Sequence, residues 1–170
     1  SEAPEITENT TFYAVFATAS GGGTKWVLTS LDAVTAGTYA IVNQSNKAFN
    51  GTITDGHGTV TDETFTFIDG EAASAPSKTC EITITAVTGG FTMYNSSYGY
   101  LYAKSNSSGN LAWHNTESSY WEYASNNWTY NSNSAYLRSY NASGGIRTYG
   151  ANNGNGVIKL AKKISSSSYS

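Results

Sequence analysis

Gly90-Phe91-Thr92-Met93-Tyr94, followed by Tyr100-Leu101-Tyr102, returns downstream as Asn127-Trp128-Thr129-Tyr130-Asn131, followed by Tyr136-Leu137-Arg138. Two further segments keep the order. Leu111-Ala112-Trp113-His114 answers to Ile146-Arg147-Thr148-Tyr149, and Tyr120-Trp121-Glu122-Tyr123 to Val157-Ile158-Lys159-Leu160. The offsets are 37 (Phe91 to Trp128), 36 (Leu101 to Leu137), 35 (Leu111 to Ile146) and 37 (Trp121 to Ile158). Most of these segments alternate apolar and polar residues, the period of a half-buried strand. Four short segments recurring at a near-fixed interval specify a symmetric all-β architecture, and the repeat brings no catalytic motif with it.

A third, divergent copy is read upstream, as strands at 38–42, 47–50, 64–68 and 80–84. It is longer than the other two, and the excess is assigned to insertions in the turn-rich stretches 55–62 and 70–78. Three four-strand units predict an all-β, β-trefoil-like barrel of about twelve strands with pseudo-threefold repeats; a Greek-key β-barrel or sandwich is the alternative, because the first copy aligns least well. Ser30-Leu31-Asp32-Ala33-Val34-Thr35-Ala36 is the one stretch read as helical, with Ser30 as N-cap and Gly37 as terminator. Strand alternation predicts a core of Tyr39, Ile41, Phe65, Phe67, Ile82, Ile84, Phe91, Met93, Leu101, Leu111, Trp113, Trp121, Tyr123, Trp128, Tyr130, Leu137, Ile146, Ile158 and Leu160.

Composition narrows the class. The 170 residues suffice for one domain with a real core. Charged residues make up 12%, against about 25% in an average protein. Ser, Thr, Asn, Gly and Tyr replace them, giving a surface of neutral hydroxyls, amides and phenols that suits an extracellular β protein. A net charge of -3 offers no phosphate-binding field, so nucleic acid is not an expected partner. No apolar stretch is long enough for a membrane-spanning helix, and no insertion by this segment is expected. The single Cys80, in the alternating run Cys80-Glu81-Ile82-Thr83-Ile84, is predicted to be a buried core thiol.

Gly21-Gly22-Gly23 is the best domain boundary. Before it, Glu8-Asn9-Thr10-Thr11-Phe12-Tyr13-Ala14-Val15-Phe16 resembles the closing strand of a Listeria–Bacteroides (internalin-type) surface repeat. That resemblance implies a modular, exported bacterial protein, with residues 1–20 closing a preceding module and providing a linker. The β-domain is expected at 21–164, and 165–170 reads as a second linker. Trp26-Val27-Leu28-Thr29-Ser30-Leu31-Asp32 and the continuation to Val42 resemble the opening of β modules in large surface proteins of gut bacteria. Tyr136-Leu137-Arg138 and Val157-Ile158-Lys159-Leu160 resemble their closing segments; the resemblance carries no activity to transfer. Trp121 stands where trefoil lectins place the tryptophan of their Gln-x-Trp signature, with Ser119 in the glutamine's place.

Candidate ligand-binding residues come from the strand faces turned away from the core. Tyr100, Tyr102, His114, Tyr136, Arg138, Arg147 and Tyr149, with Tyr140 beside them, are expected to point to solvent. Aromatic rings offer flat apolar faces to C–H-rich sugar surfaces, and Arg and His add directional hydrogen bonds to hydroxyls. Tyrosine is also a good strand former, so the same rings could simply pair across strands. Nothing nominates a catalytic residue or a metal ligand. His57 and His114 lack metal-ligand spacing, His57 reads as a solvated turn residue, and no Gly-x-Ser-x-Gly elbow is present. No cofactor is expected. The sequence therefore points to a monomeric, non-catalytic module for glycan binding or adhesion on an exported bacterial surface protein. The alternatives are a structural spacer without a ligand, or an ancillary domain of a secreted hydrolase.

Overall fold

The computed structural model describes residues 23–141, 143–150 and 156–166. The surface-repeat resemblance and most of Gly21-Gly22-Gly23 lie outside the described residues. The described chain is built of strands, in order β1 (Gly23–Thr29), β2 (Gly37–Val42), β3 (Lys47–Thr54), β4 (His57–Thr64), β5 (Glu71–Ala72), β6 (Ile82–Val87), β7 (Gly90–Asn95) and β8 (Gly99–Ala103). They continue as β9 (Leu111–His114), β10 (Trp121–Ala124), β11 (Asn127–Tyr130), β12 (Ala135–Ser139), β13 (Ile146–Tyr149), β14 (Gly156–Val157) and β15 (Lys159–Ser166).

Antiparallel pairing closes a nine-strand barrel. The ring runs β2–β3–β4–β13–β12–β11–β10–β7–β6 and returns to β2 through Tyr39↔Ile82 and Gly37↔Ile84. Extra strands attach to it. β15 lies on β2, β1 on β15 and β5 on β1, while β8 and β9 extend from β7.

Two apolar layers follow from the alternation along β2. Tyr39 and Ile41 enter the main cluster with Phe49, Ile82, Ile84, Met93, Leu101, Trp121, Trp128, Leu137, Ile146 and Leu160. Ala40 and Val42 face the other way, into a smaller cluster with Trp26, Ala48, Phe65, Ala72 and Ala161. Four consecutive buried residues in β2 thus serve two cores. Fully buried indoles need partners for their N–H groups. Trp121 Nε1 donates to the Leu101 carbonyl at 2.9 Å, and Trp128 Nε1 points at Met93 Sδ at 3.3 Å.

The predicted core is largely the observed one, with one clear correction. Tyr123 is 43% exposed. It lies on the same side as Trp121 but next to the Ser125-Asn126 turn, where both residues have positive φ, and its hydroxyl donates to Asn126 Oδ1 at 3.0 Å. Phe67, Phe91 and Trp113 are half-buried and pack at the edges of the two clusters.

Other expectations change as well. The helix at 30–36 is a 3-10 turn at Leu31–Ala33, with no side-chain cap from Ser30, and Gly37 opens β2. The stretch 55–62 is not an insertion. Asp55 and Gly56 both have positive φ (51° and 78°) and make a two-residue hairpin turn between β3 and β4. The predicted strand at 64–68 falls mostly outside β4, which ends at Thr64; Ile68 keeps only an isolated bridge to Glu71. At the C-terminal side β15 runs to Ser166, so Ser165 and Ser166 pair with Thr24 and Gly23 rather than opening a linker.

Hairpin ends meet at one side of the barrel. Leu111 N donates to the Gly56 carbonyl at 3.1 Å, and Gly109 N to the Thr148 carbonyl at 3.1 Å. Gly56 and Gly109 approach so closely that a Cβ at Gly56 would collide with the Gly109 carbonyl oxygen. Cys80 is buried and free, as expected, and burial first, then Glu81, pushes its thiol up to about 11.

Two outcomes test this packing. Gly56→Ala should lower unfolding free energy by about 2–4 kcal/mol in urea titration, since it combines a left-handed φ with a backbone collision. Cys80 contributes stability that is complete below its ordinary pKa of 9.0 and is lost as pH rises through about 11. Native protein at pH 8 should leave Cys80 unreactive toward a thiol reagent, and guanidinium should expose it; fast native labelling would contradict the burial.

Candidate functional site

Hairpin β12–β13 gathers four of the seven candidate residues on one face. Tyr136 pairs with Tyr149 and Arg138 with Arg147, and directly opposed residues project to the same side of a sheet. Leu137, Ile146 and Thr148 occupy the opposite side, with no exposure. The face extends across neighbouring strands. Arg147 pairs with His57 of β4, Tyr136 with Thr129 of β11, and Arg138 with Val157 of β14.

Burial makes this face unusual. Arg138 and Tyr149 are each only 4% exposed, although both were expected to point to solvent. The correction reflects side-chain packing along the face, where Arg138 lies against Asn127 of β11 and Tyr149 against Arg147. Arg138 Nη1 donates to Asn127 Oδ1. The Asn127 amide is held by its own Nδ2, which donates to the Ser125 carbonyl at 2.7 Å. Arg147 is half-buried, with its guanidinium carbon 3.5 Å from the centroid of the Tyr140 ring. It also lines a surface cavity of about 310 Å³ with His57, Gly58, Thr59, Val60 and Gly145.

Arg138 Nε and Arg147 Nε are enclosed with no hydrogen-bond partner among the described residues, and the enclosed Tyr149 Oη lies against the Arg147 guanidinium. Among the described residues no carboxylate pairs with either guanidinium. The ion pairs among the described residues are Lys25–Glu71 and Lys163–Glu81, both elsewhere. Burial pushes the Arg138 guanidinium below its ordinary value, with the Tyr149 and Tyr136 phenols opposing the shift. A guanidinium nevertheless stays charged in a protein. Burial likewise pushes the Tyr149 phenol upward, while Arg147 and Arg138 draw it back.

The remaining candidates, Tyr100, Tyr102 and His114, sit on β8–β9 in the equivalent register. Tyr100 pairs with His114 as Tyr136 pairs with Tyr149, and Tyr102 with Ala112 as Arg138 with Arg147. Here the rings satisfy one another. Tyr102 meets His114 edge-on at 5.5 Å, Tyr100 packs on Tyr94 at 4.8 Å, and His114 Nδ1 accepts from Thr116 N at 3.1 Å. Phe49, Trp113 and Tyr98 continue the ring packing nearby as a stack.

Sequence reasoning missed two members of the β12–β13 face. His57 is the first residue of β4 and reaches the site through the β4–β13 pairing, not as a solvated turn residue. Asn127 enters the face from β11, where its Oδ1 accepts from Arg138 Nη1. A second concavity, about 470 Å³, has exposed Tyr123 on its wall with Leu28, Leu31, Gln44, Asn126 and Lys159. No group of three or more His, Cys, Asp or Glu that could hold a metal occurs among the described residues.

No protein-family model matches the chain, and no curated protein matches it either.

Because Arg138 is buried with no acid beside it among the described residues, its charge costs folding energy. Arg138→Met should leave stability unchanged or raise it by up to about 2 kcal/mol in urea titration. Asn127→Ala, which strands the same guanidinium, should instead cost about 1–3 kcal/mol. A large loss in Arg138→Met would show that the arginine is structurally compensated.

Proposed function

We propose that the chain is a non-catalytic carbohydrate-recognition module of an exported bacterial surface protein, and that β12–β13 carries its binding face. The supporting observation is the juxtaposition of accessible aromatic rings and a half-buried guanidinium beside a surface cavity. Tyr136 and Tyr140 supply partly exposed rings, while Arg147 lines the cavity with His57. Sugars present both complements: C–H faces that rest on rings, and hydroxyls that accept and donate. Single sites of this size bind weakly, and repetition of modules along a surface protein would raise the avidity. The surface-repeat resemblance at residues 8–16 and the low charge content support the extracellular setting.

The finer fold belongs to the same proposal. A trefoil-like plan assigns β2–β3–β4–β6, β7–β8–β9–β10 and β11–β12–β13–β15 to three units. In favour of it, the first and fourth strands pair in two of these units, as β2–β6 and β7–β10. Successive units join through β6–β7 and β10–β11, the last strand returns to the first through β15–β2, and each unit carries a hairpin.

A structural spacer is the second reading, favoured by β8–β9, where Tyr100 packs on Tyr94 and Tyr102 on His114. A glycan array separates the two. Binding should be lost at least tenfold in Tyr136→Ala and Tyr140→Ala, and be little changed in Tyr102→Ala. A blank array over host and plant glycans would favour the spacer.

A further inference from the structure

We propose that the cavity beside Tyr123 is a second saccharide site and that it takes a neutral pyranose. The ligand class rests on the carbohydrate reading above, but the place does not: this cavity shares no lining residue with the one at Arg147.

Segments far apart in the sequence build this space of about 470 Å³. Leu28 to Asp32 lead from β1 into the 3-10 turn, Tyr123 and Asn126 flank the β10–β11 turn, and Val157 to Lys159 lead into β15. Small-molecule sites commonly measure about 300–1,000 Å³. Leu28, Leu31 and Val157 are half-buried and supply apolar wall, to which Tyr123 adds an exposed ring.

Packing gives no reason for that ring's position. Tyr123 belongs to neither apolar cluster, and no other ring among the described residues packs on it, in contrast to Tyr100 and Tyr102. It is nevertheless held. Its hydroxyl donates to Asn126 Oδ1 at 3.0 Å, across a turn in which Ser125 and Asn126 both have positive φ. An aromatic face fixed in place and left bare suits the C–H face of a sugar ring, because little ordering is left to lose on binding.

The polar groups around the ring are of the kinds that hydroxyls answer, and their charges balance. Asp32 and Lys159 give one carboxylate and one ammonium, while Gln44 and Asn126 add neutral amides. The lining thus has no excess of either sign to select an anion or a cation. Lys159 Nζ donates to Asn46 Oδ1 at 2.9 Å, and Gln44 Nε2 donates to the Val157 carbonyl. An ammonium has three donors and an amide oxygen two lone pairs, so both side chains are steadied and keep capacity for hydroxyls. The Asp32 carboxylate is exposed and makes no hydrogen bond or ion pair with another described residue.

The test titrates the whole chain by NMR with methyl β-D-glucoside, methyl α-D-mannoside, methyl β-D-galactoside and methyl N-acetyl-β-D-glucosaminide. At least one should shift the amides of Leu31, Asp32, Ser125 and Asn126 saturably. Tyr123→Ala should weaken that binding about tenfold or more, and Asp32→Asn about threefold or more. Both side chains are exposed, so the circular dichroism spectrum should not change. Tyr140→Ala, on the β12–β13 face, should leave these shifts unaltered.

Shifts confined to β12–β13, lost in Tyr140→Ala and kept in Tyr123→Ala, would overturn this site and leave the carbohydrate reading standing. Silence from every glycoside would overturn it as well, and with a blank glycan array would remove the carbohydrate reading too. A tenfold preference for methyl β-D-glucuronide or methyl β-D-glucosaminide over methyl β-D-glucoside, about 1.4 kcal/mol, would overturn the neutral assignment. Cyclohexylmethanol binding as tightly as the best glycoside would mark a simple apolar pocket and overturn the saccharide one.

Discussion

Strand β6 closes the sheet, and the rest of the structure depends on that closure. It pairs with β2 on one side and with β7 on the other, so the ring of nine strands has no free edge where it would otherwise open. Closure also creates an interior. Trp121, Trp128, Tyr39, Phe49 and Met93 fill it without measurable exposure or nearly so, and at that depth each indole N–H must be answered from within. Leu101 O and Met93 Sδ answer them, which ties the tryptophans of β10 and β11 to strands β8 and β7.

Once the core is closed, the outward faces of the hairpins are released from its packing demands. β8–β9 and β12–β13 show two uses of that freedom on the same register. One face is neutral, and its rings consume each other's surfaces, as Tyr102 does with His114. The other gathers two guanidiniums and a phenol, with Arg138 Nε and Arg147 Nε left without a partner among the described residues. Buried polar groups are ordinarily paired, so such groups side by side signal either a cost retained for recognition or a partner that comes from outside. The hairpin ends are tied together by backbone bonds from Gly109 and Leu111 to Thr148 and Gly56, which gives the β12–β13 face a rigid support.

Much of the architecture was legible from residue spacing. Phe91, Leu101, Leu111 and Trp121 alternate with polar neighbours and recur downstream, so their strands and inward faces followed directly from period two. The first copy was harder. Asp55-Gly56 had the composition of a turn, yet its length was misjudged, because a two-residue hairpin and a longer loop share the same Gly and Asp signals. Tyr123 continued an alternating pattern correctly and still emerged at the surface, since alternation names a side of the sheet but not the point where the strand leaves the barrel.

The sequence by itself determined that this protein is all-β, which residues line its interior, and that Arg138, Arg147, Tyr136 and Tyr149 share one face. All of these follow from local periodicity, which is a property of neighbouring residues. Only the tertiary structure decided that the face is sheltered, that His57 and Asn127 belong to it, and that its arginines meet no acid among the described residues. Those facts arise from pairings such as β4 with β13, which join residues about ninety positions apart, and burial and charge pairing are set by such neighbours in space rather than along the chain.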